Sequence, residues 1–140
     1  MRNYNILLVD NCKADIENTK DAFSILGIEH RLYLAETETA AWSMLLGDTQ
    51  LTKIPAILLI DINREGINGI DFLNKIRIHP DLKSILVFVF TALDNDDNRI
   101  AALNLNVAGY FIKPSENRNF NDFFSILKDY WNLVEFPSKK

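Results

Sequence analysis

Residues 5–15, NILLVDNCKAD, run from a continuous apolar stretch straight into Asp10 and Asn11. Residues 56–63, AILLIDIN, repeat the pattern and end on Asp61 and its neighbours. Runs that are apolar throughout, rather than alternating, suit strands buried on both faces of a parallel sheet. A third such run is ILVFVF at 85–90, and two weaker ones, HRLYLA at 30–35 and GYFI at 109–112, complete a set of five. Helix-period apolar positions fall between them: Ile16, Thr19, Phe23 and Leu26 before Gly27; Ala41, Met44 and Leu45 before Gly47; Phe72, Leu73 and Ile76; Ile100, Leu103 and Leu105; and Phe120, Phe123, Phe124, Leu127 and Trp131. Two of these segments end at a glycine placed as a C-terminal cap. Strand and helix alternate five times, which predicts a doubly wound α/β fold: a five-stranded parallel sheet with helices on both faces.

On such a sheet, ligands bind beyond the carboxyl ends of the strands, near the point where strand order reverses. Asp10 and Asp61 both end strands there. Thr91 follows the fourth strand and Lys113 the fifth. A strand-end aspartate alone is a common helix cap, and a lysine alone a common solvated turn residue. Two carboxylates, a hydroxyl and an ammonium at four of five strand ends are not explained as caps.

Bulk properties narrow the field. The chain has 140 residues, 48% of them hydrophobic, and is expected to be one domain over 1–140, with 135–140 a flexible tail. A formal charge of −4 gives no general attraction for nucleic acid or an anionic membrane surface. A single cysteine makes no internal disulfide, no signal peptide precedes the first strand and no apolar run reaches spanning length, so a cytoplasmic protein with a protein or small-ligand partner is expected.

With these residues assembled, the chain resembles the receiver domains of two-component response regulators over essentially its whole length. The resemblance implies that Asp61 accepts a phosphoryl group from a sensor histidine kinase. It implies Mg2+ held by Asp10, Asn11, Asp61 and the backbone carbonyl of Asn63. Thr91 and Lys113 match the residues that contact the phosphoryl oxygens, Lys113–Pro114 a bond usually cis, and Tyr110 the aromatic that turns inward on activation. HPDLKSILVFVFTA (79–92) and DYWNLVEFP (129–137) are similar to the small stand-alone regulators associated with bacterial phytochromes. That implies a phytochrome-type kinase as partner, a homodimer through the C-terminal helix, and signalling by protein contact, not catalysis, with no nucleic-acid-binding output module.

The chemistry is intelligible without the family. A carboxylate attacks a phosphoryl donor only if the charge on the equatorial oxygens is neutralised, and Mg2+, a lysine and a hydroxyl are the means. Ala92 is small enough to admit the group, and Leu93 is too apolar to orient a hydrolytic water, so slow self-hydrolysis is expected. Asn11 departs from the pattern: its amide offers an oxygen but no charge, a loss of about tenfold in metal affinity, or about 1.4 kcal/mol. The alternative this raises is a receiver-like interaction module that works without phosphorylation. Glu65, in DINREGING (61–69), stands where many receivers carry proline and is expected to loosen the loop.

Rival classes fit less well. A haloacid-dehalogenase-type phosphohydrolase needs a second aspartate two residues beyond the first, where Asn63 stands. A flavin carrier needs a Ser/Thr/Gly phosphate loop, whereas DNCKAD is acidic. Asp94, Asp96 and Asp97 read as acids favoured at a helix start, Cys12 as an inert turn residue, and His30 and His79 as too few for zinc. On the last helix, Tyr130, Val134 and Phe136 exceed what one buried stripe accommodates and are expected to lack intrachain partners.

Overall fold

The computed structural model describes residues 4–65, 67–92, 95–113 and 117–134, and in 117–119 the backbone alone. Leu93, Asp94, the Lys113–Pro114 bond, Phe136 and the expected tail lie outside the described residues. The elements are β1 (Asn5–Val9), α1 (Lys13–Ile25), β2 (Arg31–Ala35), α2 (Glu38–Leu46), β3 (Ile57–Ile60), α3 (Gly69–Ile78), β4 (Leu86–Thr91), α4 (Asp96–Asn104), β5 (Gly109–Ile112) and α5 (Asn117–Leu133).

All five strands are parallel in the order β2-β1-β3-β4-β5. The three continuous apolar runs are the three inner strands, and the two weaker runs are the edges. Successive residues of each strand serve opposite faces. Leu7 and Val9 join Leu58, Ile60, Val87 and Val89 in a core with α2, α3 and Ala102 of α4. Ile6 and Leu8 join Ile57, Leu59, Phe88 and Phe90 in a second core with α1 and α5. The chain leaves β1 for β2 on one side and returns to β3 on the other. The reversal of strand order therefore falls between β1 and β3, the strands that end in Asp10 and Asp61.

Local chemistry explains the helix boundaries. Thr37, Asn68 and Asn95 cap α2, α3 and α4 by accepting from Ala40 N, Asp71 N and Asn98 N. After α1, Gly27 takes φ +64° and Ile28 N donates to Phe23 O at 2.9 Å, a turn that closes the helix in the left-handed conformation glycine tolerates. Gly47 also caps its helix, with φ −112° instead.

Two expectations are corrected. Ile100 and Leu103 were expected to form the buried stripe of α4, yet they are 57% and 51% exposed, and the buried residue is Ala102. A small side chain at the contact lets α4 lie close to the sheet, which turns its larger apolar residues outward. Tyr130 and Val134 do have intrachain partners. The Tyr130 ring meets Phe88 edge-on at 6.1 Å, and Val134 packs against the same core. Phe88 is large enough to reach Tyr130 as well as Trp131.

Candidate functional site

Backbone ladders carry the site residues to fixed positions just past the strands. Asp10 N donates to Ala35 O at 3.1 Å, Asp61 N to Val9 O at 3.0 Å, and Lys113 N to Thr91 O at 2.7 Å. The two aspartates then use their oxygens in the same way. Oδ1 of Asp10 accepts from Cys12 N, and Oδ1 of Asp61 from Asn63 N, each at 3.0 Å, closing a tight turn onto the residue two positions on. Oδ2 of each is left for Lys113, whose Nζ lies 2.6 Å from Asp10 and 2.7 Å from Asp61.

The third proton of that ammonium goes to a residue the sequence reading missed. Asp15, in the first turn of α1, accepts from Lys113 Nζ at 2.8 Å. Asp10 and Asp61 are therefore not the only fixed anions. An acid four to six residues past a strand-end acid, on the first turn of the next helix, is the signal that could have found it, but a favourable helix-dipole contact reads identically in sequence. Burial alone would push the Lys113 ammonium down. Its hydrogen bonds to Asp10, Asp15 and Asp61 outweigh that and hold its pKa above the ordinary lysine value.

Thr91 is fully buried, and its Oγ1 accepts from Asn63 Nδ2 at 2.9 Å. Asn63 Oδ1 in turn accepts from Asn98 Nδ2, on α4, at 2.8 Å. The residue expected to offer only a backbone carbonyl thus also links Thr91 to a helix, and Asn98 is a second residue not anticipated. Tyr110 is half-buried and packs against the core shared by α2, α3 and α4.

Asn11 is held on both sides. Its Oδ1 accepts from Arg64 Nε at 2.7 Å, and its Nδ2 donates to Glu65 O at 2.7 Å. Arg64 Nε also stands 3.9 Å from Asp10 Oδ1. Glu65 was expected to loosen this loop; its carbonyl is instead tied to β1's end. Among the described residues, no group of three or more His, Cys, Asp or Glu side chains stands as a ready metal cage, because the three aspartates close around Lys113. The donor set nonetheless fits Mg2+, a hard cation that needs one or two carboxylates and completes its shell with water and phosphate. Asp10 and Asp61 direct oxygens to a common point, as their shared Lys113 partner requires.

Residues 6–124 match the family model described as response regulator receiver domain. The chain belongs to the response regulator receiver family. Response regulator Rcp1 of Synechocystis sp. is 32% identical over 139 residues, spanning 95% of this chain and 92% of that protein. The structure of the Mn(2+)-bound form of response regulator Rcp1 superposes with a TM-score of 0.85 at 28% identity, over 96% of this receiver and 99% of that chain. The phosphorylated cyanobacterial phytochrome response regulator RcpA gives a TM-score of 0.89 at 24% identity, over 98% and 100%, a likeness of fold. The receiver fold and a signalling role in two-component systems follow from membership. The phosphorylation-independent module and the phosphohydrolase are not favoured. Among the described residues, no helix is long and apolar enough to cross a membrane.

Proposed function

We propose that Asp61 of this receiver accepts a phosphoryl group from the phosphohistidine of a sensor kinase, and that Asp10, Asn11, Asp61 and the Asn63 carbonyl hold the Mg2+ that accompanies it. The observation that supports this best is the Lys113 ammonium, fixed between Asp10 and Asp61 by hydrogen bonds of 2.6 and 2.7 Å. An Asp61 oxygen attacks phosphorus, the new O–P bond forms as the P–N bond breaks, and the imidazole nitrogen leaves with the electron pair. Lys113, giving up one of its aspartates, meets one equatorial oxygen and the Thr91 hydroxyl another; both groups are buried, where such contacts are stronger than in water. Bound Mg2+ supplies further charge neutralisation. As Thr91 turns to the phosphoryl group it re-aims its bond with Asn63, and so disturbs the link to Asn98 and α4. The test is the intact mass after treatment with acetyl phosphate. The wild type should gain one phosphoryl group only with millimolar Mg2+, and Asp61→Asn should gain none; a wild type that never gains mass under these conditions refutes the assignment.

The partner class this reading favours is a phytochrome-type histidine kinase, on the resemblance of residues 79–92 and 129–137 to the stand-alone regulators associated with bacterial phytochromes. We also propose a homodimer through α5. Ile126, Tyr130 and Leu133 are 71%, 44% and 83% exposed at spacings of four and three, one apolar stripe on the helix's outer side. Light scattering at tens of micromolar should give about twice the 16.1 kDa chain mass, and Tyr130→Glu or Ile126→Glu should halve it. A mass of one chain for the wild type refutes the dimer.

A further inference from the structure

Asn11 stands where the family pattern implies an acid that ligates metal, yet both ends of its amide are engaged by the loop between β3 and α3. Its Oδ1, the atom an amide offers to a metal, accepts from Arg64 Nε at 2.7 Å, and the same Nε lies 3.9 Å from Asp10 Oδ1. The pocket therefore contains three aspartates and two cations, Lys113 and Arg64, before any ion enters. A guanidinium keeps its charge at every accessible pH, so this second cation is permanent. Lys113 is buried and has no donor to spare, whereas the Arg64 side chain is 38% exposed. Of the two, only Arg64 has solvent to retreat into.

A divalent ion arriving at Asp10 meets Arg64 twice over. Like charges a few ångströms apart repel, and Asn11 Oδ1 becomes a ligand only after Arg64 lets it go. The identity of residue 11 sets how firmly Arg64 is held. An aspartate there would meet the guanidinium as a full ion pair, charged on both sides, whereas the amide offers only a dipole and holds it less tightly. We propose that Arg64 is a tethered cation that competes with the divalent metal for the Asp10–Asn11 edge, so that residues 11 and 64 set the metal affinity as a coupled pair. This makes Arg64 a positioning and affinity-setting residue, not a catalytic one. It also gives the asparagine a role: it loses a charge toward the metal and at the same time weakens the metal's internal competitor. The inference rests on the proposed assignment of Asp10 and Asp61 to the metal site.

The experiment is a calorimetric titration of Mg2+ alone, at fixed ionic strength and without phosphoryl donor, into the wild type, Arg64→Met, Arg64→Lys, Asn11→Asp and the Asn11→Asp/Arg64→Met double variant. Arg64→Met should tighten binding about tenfold, and Arg64→Lys, which keeps the charge, should tighten it less. Asn11→Asp should gain little while Arg64 is present and clearly more once it is gone, the non-additivity expected of two residues in contact. In EDTA, Arg64→Met should unfold at a lower urea concentration than the wild type, and millimolar Mg2+ should close that gap. Wild-type binding with an unchanged affinity in Arg64→Met would overturn the competition and leave the metal site standing. Absence of Mg2+ binding in all five proteins would remove the metal site and this inference with it. A urea gap that Mg2+ does not narrow would show Arg64 to be a loop fastener only, and would overturn the proposal too.

Discussion

Replacing Lys113 with methionine keeps most of the side-chain volume and removes the charge to which three aspartates are bonded. Asp10 Oδ2 and Asp61 Oδ2 lie 2.6 and 2.7 Å from the same nitrogen, so they are within about 5 Å of each other, and at an effective dielectric constant of about 20 their repulsion amounts to about 3 kcal/mol. Breaking one partner out of a buried ion cluster typically costs about 3–5 kcal/mol, so the two routes agree. Urea unfolding at pH 7 in EDTA should show that loss. The pH response should also move from the alkaline to the acid range. In the wild type, the Lys113 pKa is raised, so its contribution is complete below the ordinary lysine range and is lost only as pH climbs past the raised value. Around neutrality that contribution is flat. In Lys113→Met the uncompensated carboxylates are relieved by protons, so the deficit should shrink toward pH 4, and millimolar Mg2+ at pH 7 should shrink it as well. A variant as stable as the wild type at pH 7, or a deficit indifferent to both acid and Mg2+, would refute the charge argument.

Gly69→Ala should cost about 1–3 kcal/mol in urea unfolding and slow the proposed phosphorylation, because a methyl group at Gly69 would come within 2.5 Å of the Ile62 backbone Cα, next to the proposed acceptor Asp61. Burial lowers the pKa of His30, with Glu29 opposing, while its Nδ1 accepts from Tyr4 N. The unfolded chain therefore takes up that proton more readily, and stability should fall as pH drops below the ordinary histidine value. His30→Asn should flatten this dependence in urea unfolding between pH 7 and pH 5; an unchanged slope would assign it to other groups.

Much of the fold was legible because the three inner strands are continuous apolar runs that serve both faces of the sheet. Four strand-end residues were legible for a related reason: once the sheet is parallel, their places on one edge follow from topology. Asp15, Arg64 and Asn98 were not, because each is defined by a partner far away in the chain: Lys113, Asn11 and Asn63 respectively. Alone, each reads as an ordinary surface or helix-start residue. The outward turn of Ile100 and Leu103 was hidden because a helical period locates a stripe only when the larger residues make the contact, and on α4 Ala102 makes it.

The division of each strand-end carboxylate, one oxygen to its own turn and the other to Lys113, sets what a modification of Asp61 is able to disturb. A group added at the outer oxygen leaves the inner one still fastened to Asn63 N, so the turn acts as a fixed anchor while the lysine clamp is reset. The change is then steered toward strands β4 and β5, which supply Thr91 and Lys113, and toward the Asn63 side chain bonded to Thr91. Two oxygens of one side chain thereby separate the part of the molecule that must hold still from the part that is free to respond.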